Sequence, residues 1–432
     1  LLYAPRRRHL LVVLTVMLSG ALAFGTVGGT AVAAPPPVPV LPALPGVSTP
    51  PLPKNIGPSV SNPGALYRHP ANLASLADGD VIRAVKRDNP FRTTPSEAWQ
   101  IAFRTNDSHG KPAVGVTTVI VPFNHKADIP VLSYQMIINA MGMRCQPSQS
   151  VYTTTDWIAS PVDPWGFNFA LARGWGIAIP DHLGEKTAYA AVRMSGQIVL
   201  DGIRAATRFS PLRLKNSKFA LSGYSGGGMA TGAASTLQAT YAPEVNIVGS
   251  VWGGVPTNLT QMAEAIGTDN SHPAFGLAMA ASLGLEREYP KELPISSHLN
   301  WLGLQTRAQM ANACTNEILV TGFGKSARMV AKNFDMLNAP ATRRVLALNS
   351  IASMPEVAKA PIFEFHSPTD PLISVTSLDA TMKRYCRAGT KVYQLSTPAP
   401  EHLSAAAVGF FPAYQWMADR FAGKPVPTNC RG

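Results

Sequence analysis

Charge is scarce in this chain. Only 14% of its 432 residues are Asp, Glu, Lys or Arg, against 46% hydrophobic. That balance excludes a disordered, self-repelling polymer and allows a large buried core. The net charge of +12 is scattered, and apart from Arg6-Arg-Arg8 there is no run of three basic residues and no interleaving with aromatics. Nucleic acid is therefore excluded as a partner, while anionic surfaces remain allowed. Cysteine is scarce too, with four residues, and neither Cys-x-x-Cys nor His-x-x-x-His spacing occurs. No metal site and no cofactor are expected. Beyond the N-terminal region no stretch is long and apolar enough to cross a bilayer.

What is present begins with an export signature. Arg6-Arg-Arg-His9 is a charged n-region, Leu10 to Phe24 an apolar h-region, and Ala31-Val-Ala33 a small-x-small cleavage site. Residues 1–33 read as a secretory signal peptide, with the mature protein secreted or held at the cell envelope. Pro35 to Pro63 is rich in proline and carries one charge, Lys54. It reads as an extended linker over 34–64. Export and an even cysteine count (Cys145, Cys314, Cys386, Cys430) suggest two disulfides, with three connectivities open.

Residues 65–432 read as one catalytic domain. Asp78 to Val85 opens the first strand. Ser96 to Thr105 and Ala113 to Val121 form a hairpin around Asn106-Asp-Ser-His-Gly110. Pro130 to Ile138, Trp175 to Pro180 with Asp181 capping its end, Phe219 to Ser222, Val245 to Trp252, Ala360 to His366 and Lys391 to Leu395 are buried strands. Phe167 to Arg173, Ser195 to Phe209 and Ala405 to Phe421 have helical spacing. Hairpins followed by alternating strands and helices describe an α/β-hydrolase fold with a mostly parallel central sheet. The alternation breaks over 257–355, which reads as an inserted helical cap. Its expected helices are Asn258 to Ile266, Ala274 to Leu283, Ala308 to Leu319 and Ser326 to Leu337.

The densest signal is Phe219-Ala-Leu-Ser-Gly-Tyr-Ser-Gly-Gly-Gly-Met-Ala230. Gly223-Tyr-Ser-Gly-Gly227 fits G-x-S-x-G, the strained strand-to-helix turn that exposes a nucleophilic serine. Glycine lacks Cβ, so backbone can pass close on either side of Ser225. The following helix aims its N–H groups at developing negative charge.

A serine hydroxyl needs a base, and in this fold the order is Ser, acid, His. His402 follows the last strand and is the expected base, with His366 its competitor; His272 and His298 fall in the cap. Asp370, in the loop after the preceding strand, is the expected acid, ahead of Glu364 and Asp379. Gly226 supplies one oxyanion N–H. Asn139, through backbone or side chain, is the candidate for the second.

Four local patterns resemble the secretory lipases of fungi and actinobacteria, the Candida antarctica lipase A type. They are Ser133-Tyr-Gln135 with Cys145-Gln-Pro-Ser148, Ile179-Pro-Asp-His-Leu-Gly184, Gly223 to Gly228, and the settings of Asp370 and His402. The resemblance spans roughly 80–430. It implies a capped hydrolase acting on lipid or other carboxylic esters, with transient contact to a lipid interface and no obligate protein partner. It implies the triad Ser225, Asp370 and His402, and disulfides Cys145–Cys314 and Cys386–Cys430. One departure stands out. Where the family usually has Asp-Ser, this chain has Asn139-Ala140. An Asp there donates only when protonated, whereas an amide always donates, which would lower the pH dependence. Three readings stay open: a secreted ester hydrolase, an exported acyltransferase with the same triad, and a hydrolase-fold binding protein with a decayed site.

Overall fold

The computed structural model describes residues 64–91, 94–153, 163–266 and 269–430. The expected signal peptide and nearly all of the linker lie outside the described residues. Strands β1 (Val81–Arg87), β2 (Ser96–Asn106) and β3 (Pro112–Pro122) form an antiparallel meander. Its tight turn is closed by Asp107, whose Oδ1 accepts from the N–H groups of His109 and Lys111. β3 then pairs antiparallel with β5 (Gly176–Pro180). From β5 the sheet is parallel through β4 (Val131–Gln135), β6 (Phe219–Tyr224), β7 (Ile247–Gly253), β8 (Ile362–His366) and β9 (Val392–Ser396). The order is β1-β2-β3-β5-β4-β6-β7-β8-β9.

The two-residue period of a strand sorts side chains between two cores. On β6, Phe219 and Leu221 face one core, and Ala220 faces the other. The first core is closed by helix α2 (Val192–Arg208), through Ile198, Val199, Ile203 and Ala206, and by α3 (Ser225–Tyr241). The opposite face carries α1 (Asp163–Ala172), α9 (Val375–Arg387) and α10 (His402–Phe421). Because both faces of the sheet are covered, β4, β5 and β8 are wholly buried, their polar Ser133, Gln135, Glu364 and His366 included.

Between β7 and β8 the chain makes α4 (Leu259–Ile266), α5 (Phe275–Glu288), α6 (Trp301–Met310), α7 (Thr315–Gly322) and α8 (Pro340–Leu348). Four elements differ from the pattern in the sequence. Ala308 to Leu319 is two helices, not one. Cys314 breaks it as the N-cap of α7, its N–H held by the Glu317 carboxylate. Ser326 to Leu337 is a single turn (Ala327–Val330) and a 3-10 turn (Asp335–Asn338). Its backbone is drawn away by the Leu299–Ala331 bridge and by Asn300 N–H on the Val330 carbonyl. β4 stops at Gln135 rather than Ile138, and α10 starts at His402 rather than Ala405. Cys145–Cys314 and Cys386–Cys430 are bonded.

Beyond β5, Asp181 does more than cap. Its carboxylate accepts from Tyr67 Oη at 2.5 Å and from the N–H and Oγ of Ser148 at 2.8 and 2.6 Å. It thereby ties the N-terminal turn and the Cys145-Gln-Pro-Ser148 segment to the sheet. Burial raises its pKa to about 6, and burial lowers that of adjacent His182 to about 4. A raised carboxyl gives stability that is lost as pH climbs to 6; a depressed imidazole gives stability that is lost as pH falls to 4. The two slopes oppose each other between about pH 4 and 6. Denaturant melts across that window should show Asp181→Asn gaining stability with rising pH, and His182→Phe losing it. Each change reaches up to about 1.4 kcal/mol per pH unit relative to the parent. Unchanged slopes in both variants would refute the opposition.

Candidate active site

β6 runs straight into α3, and the junction is Ser225. Its φ is +53°, left-handed for a residue with a Cβ. Such a conformation costs about 1–3 kcal/mol and persists only where the surroundings enforce it. Both glycines of the motif meet the steric requirement. A Cβ on Gly223 would lie 2.5 Å from Thr231 Oγ1 and 2.6 Å from the carbonyl carbon of Gly227. A Cβ on Gly227 would lie 2.1 Å from the carbonyl oxygen of Gln135. The segment leaving β4 therefore crosses directly over the first turn of α3, whose first four N–H groups have no acceptor within the helix.

Asp370, the expected acid, sits in the loop after β8. Asp370 Oδ1 accepts from the N–H groups of Leu372 and Ile373 at 2.9 and 3.3 Å. Its Oδ2 lies 2.6 Å from His402 Nδ1. Ser367 Oγ donates to the Ala399 carbonyl and Thr369 Oγ1 to that of Pro400, both at 2.8 Å. These two hydroxyls latch the acid loop onto the loop that carries the base. His402 opens α10 because Glu401 caps it, accepting from the N–H groups of Leu403 and Ser404. Burial raises the Glu401 pKa, but the Ser404 and Leu403 bonds outweigh it and leave the carboxyl below its ordinary value.

His402, the expected base, lies against Tyr224 of the elbow. Tyr224 Oη donates to the His402 carbonyl, and the two rings are 5.1 Å apart. Burial, then the charge of Asp370, holds the Tyr224 phenol far above its ordinary pKa, so it stays a donor. With Nδ1 given to Asp370, Nε2 carries the lone pair; it is buried and has no partner.

The other candidates separate from this group. His366 pairs with Glu364 at 3.0 Å and lines a groove with the Cys386–Cys430 bridge. Burial lowers the His366 pKa, but Glu364 outweighs it and leaves the ring above its ordinary value. Asp379 accepts from Gln394. In the insertion, His272 Nδ1 accepts from Ala274 N–H and His298 bonds Asn333. Among the described residues no three His, Cys, Asp or Glu side chains cluster as metal ligands.

The Asn139 side chain lies beside Gly226, the residue after Ser225. A Cβ on Gly226 would fall 2.0 Å from Asn139 Oδ1, which is buried and without a partner. The backbone N–H of Asn139 faces Thr315 Oγ1 at 3.3 Å, so of the two donors expected from this residue the amide side chain is the one at the elbow. The Ser367–Thr369 latch and the Glu401 cap were not evident from the sequence. The only trace was the density of hydroxyl and acidic residues beside Asp370 and His402.

This arrangement has close counterparts. The secretory lipase family model matches residues 159–429. Candida antarctica lipase A in its closed state superposes with a TM-score of 0.80 at 29% identity, covering 86% of this chain and 89% of that one. The secreted triacylglycerol lipase LIP1 of Malassezia furfur is 32% identical over 383 residues, 85% of this chain and 78% of its own. A Mycobacterium tuberculosis protein named a probable inactive lipase is 30% identical over 88% of this chain and 86% of its own. By sequence and fold alike, this chain belongs to the secretory lipase family, the α/β-hydrolases that cleave carboxylic esters.

Proposed function

We propose that the protein is an exported serine ester hydrolase that works through an acyl-Ser225 intermediate. The observation that carries this reading is the Asp370–His402 bond, with a free, buried Nε2 beside the strained serine turn. Ser225 Oγ attacks the ester carbonyl and passes its proton to His402 Nε2. The tetrahedral oxyanion collapses, and the alcohol leaves with that proton. Water then attacks the acyl-serine, again giving its proton to Nε2, and the acid departs as Ser225 is restored. Asp370 holds the imidazole in the required tautomer and stabilises the imidazolium. Gly226 N–H and the Asn139 amide, turned so that its NH₂ faces the elbow, stabilise the oxyanion. An apolar cavity of about 480 Å³ in the insertion, lined by Met262, Phe275, Met279, Leu285 and Phe334 and by none of Ser225, Asp370 or His402, would take an acyl chain extending from the site. Export, with a leader ending near Ala33, fits the secreted relatives.

A second reading is a decayed site. It is favoured by the relative named as inactive and by Asn139 with its unpartnered Oδ1. Labelling of Ser225 by a serine-directed phosphonate distinguishes the two: a folded protein that resists labelling has lost the mechanism.

Hydrolysis of p-nitrophenyl esters from acetyl to palmitoyl tests the main reading. Ser225→Ala and Asp370→Asn should each lower kcat about 10⁴-fold or more with the fold intact; turnover near the parent's would remove the assigned role. Asn139→Asp should introduce a loss of kcat as pH rises through the new carboxyl's pKa, because the ionised form cannot donate. The parent should lack that limb, and identical profiles would remove Asn139 from the oxyanion site. Met279→Trp should cut palmitate turnover about tenfold relative to butyrate by filling the cavity. An unchanged ratio would place the acyl chain elsewhere.

A further inference from the structure

The segment that carries Asn139 is unusual for a loop. Residues 136–140 have no regular secondary structure, yet every residue from 136 to 143 is buried. Buried backbone groups need partners, and here several of them come from the helical insertion. Asn139 N–H meets Thr315 Oγ1, and Met141 N–H donates to the Ala313 carbonyl at 2.9 Å. Gly142 packs so tightly on the Asn312 carbonyl oxygen that a Cβ would lie 2.3 Å from it. Cys145 is bonded to Cys314, and Arg144 pairs with Glu317.

The remaining tie is a single guanidinium. Arg287, in the last turn of α5, points Nη1 at the carbonyls of Met141, Lys186 and Thr187 at 2.7, 2.8 and 2.9 Å. Its Nη2 donates to the Ala311 carbonyl at 2.8 Å. All four acceptors are neutral. The carboxylates on either side in sequence are engaged elsewhere: Glu286 with Ser296 and Arg307, Glu288 with Lys186 and Ser108. Burial, and then nearby Arg307, lowers the Arg287 pKa to about 10, which still leaves it cationic at neutral pH. Even a half-buried charge without a counter-ion is costly unless its donors are used, and here the acceptors are spread over three separate stretches of chain. Only a planar fork of donors spans them; an ammonium presents its donors from one point.

We infer that Arg287 is a positioning residue for ester hydrolysis. By holding the Met141 and Ala311 carbonyls together, it sets the segment that presents the Asn139 amide to the oxyanion. On this account the base of the helical insertion is part of the oxyanion site and does not swing away as a lid. Arg287 touches no substrate; it acts through Asn139. The inference therefore rests on the oxyanion role proposed for that residue.

A double-mutant cycle tests it, with kcat and KM for p-nitrophenyl butyrate and a thermal melt for each variant. Asn139→Ala is read first and should lose about a hundredfold in kcat. Arg287→Lys keeps the charge and part of the contact set, and Arg287→Met removes both. Each should lower kcat about tenfold with KM within about twofold. In the Asn139→Ala background the same changes should cost less than about twofold, because the amide they position is gone. A merely structural role would lower the melting temperature and cost equally in both backgrounds. Equal losses, or unchanged kcat in folded Arg287→Lys, would overturn the inference. An unimpaired Asn139→Ala would instead overturn the oxyanion role beneath it. If Arg287→Met fails to fold, Arg287→Lys alone decides, since it need only be folded and slower.

Discussion

The left-handed backbone of Ser225 is the constraint from which the rest of the site follows. A side chain at φ +53° is tolerated only if strand β6 and helix α3 are both held rigidly; β6 is buried throughout, and α3 is buried from Gly226 to Leu237. The turn is so tight that nothing larger than hydrogen fits at Gly223 or Gly227. That leaves a backbone-sized channel over the first turn of α3, and the segment leaving β4 fills it. Nucleophile and oxyanion segment are thus one packing solution.

The acid and base obey a looser constraint. They come from loops after β8 and β9, adjacent parallel strands whose C-terminal ends open on the same edge of the sheet. Neighbouring strands bring the two loops close, but not to hydrogen-bonding distance. The Ser367 and Thr369 hydroxyls close that gap by joining loop to loop, and Glu401 fixes where α10 begins. The His402 imidazole is oriented by three supports: Asp370 on Nδ1, Tyr224 on its carbonyl, and the helix cap just before it.

Features with a local cause were legible in the sequence. The glycine spacing around Ser225 is a steric demand between neighbours, and the alternating apolar runs report burial of each strand. Loop position after the last two strands singled out Asp370 over Glu364 and Asp379, and His402 over His366, and the Asp370 and His402 side chains lie 2.6 Å apart. Features with distant causes were not legible. At Cys314 the Glu317 carboxylate caps a new helix and a disulfide ties the turn to Cys145, 169 residues away, whereas helical spacing alone ran through it. Ser326 to Leu337 has helical composition, but its carbonyls and amides are claimed by Leu299 and Asn300. Arg287 lies beyond the helix read over Ala274 to Leu283, and its acceptors are carbonyls, which leave no trace in side-chain patterns.

The weld between residues 139–145 and 311–317 also bears on how such enzymes diversify. An inserted domain is usually regarded as interchangeable: replace it, and substrate preference changes while the chemistry stays. Here the insertion supplies the walls against which the catalytic loop is cast. A graft taken at the strand ends would import a foreign mould for that loop. Preference and rate are then inherited together, and recombination between relatives would succeed only at crossover points that keep both sides of the seam from one parent.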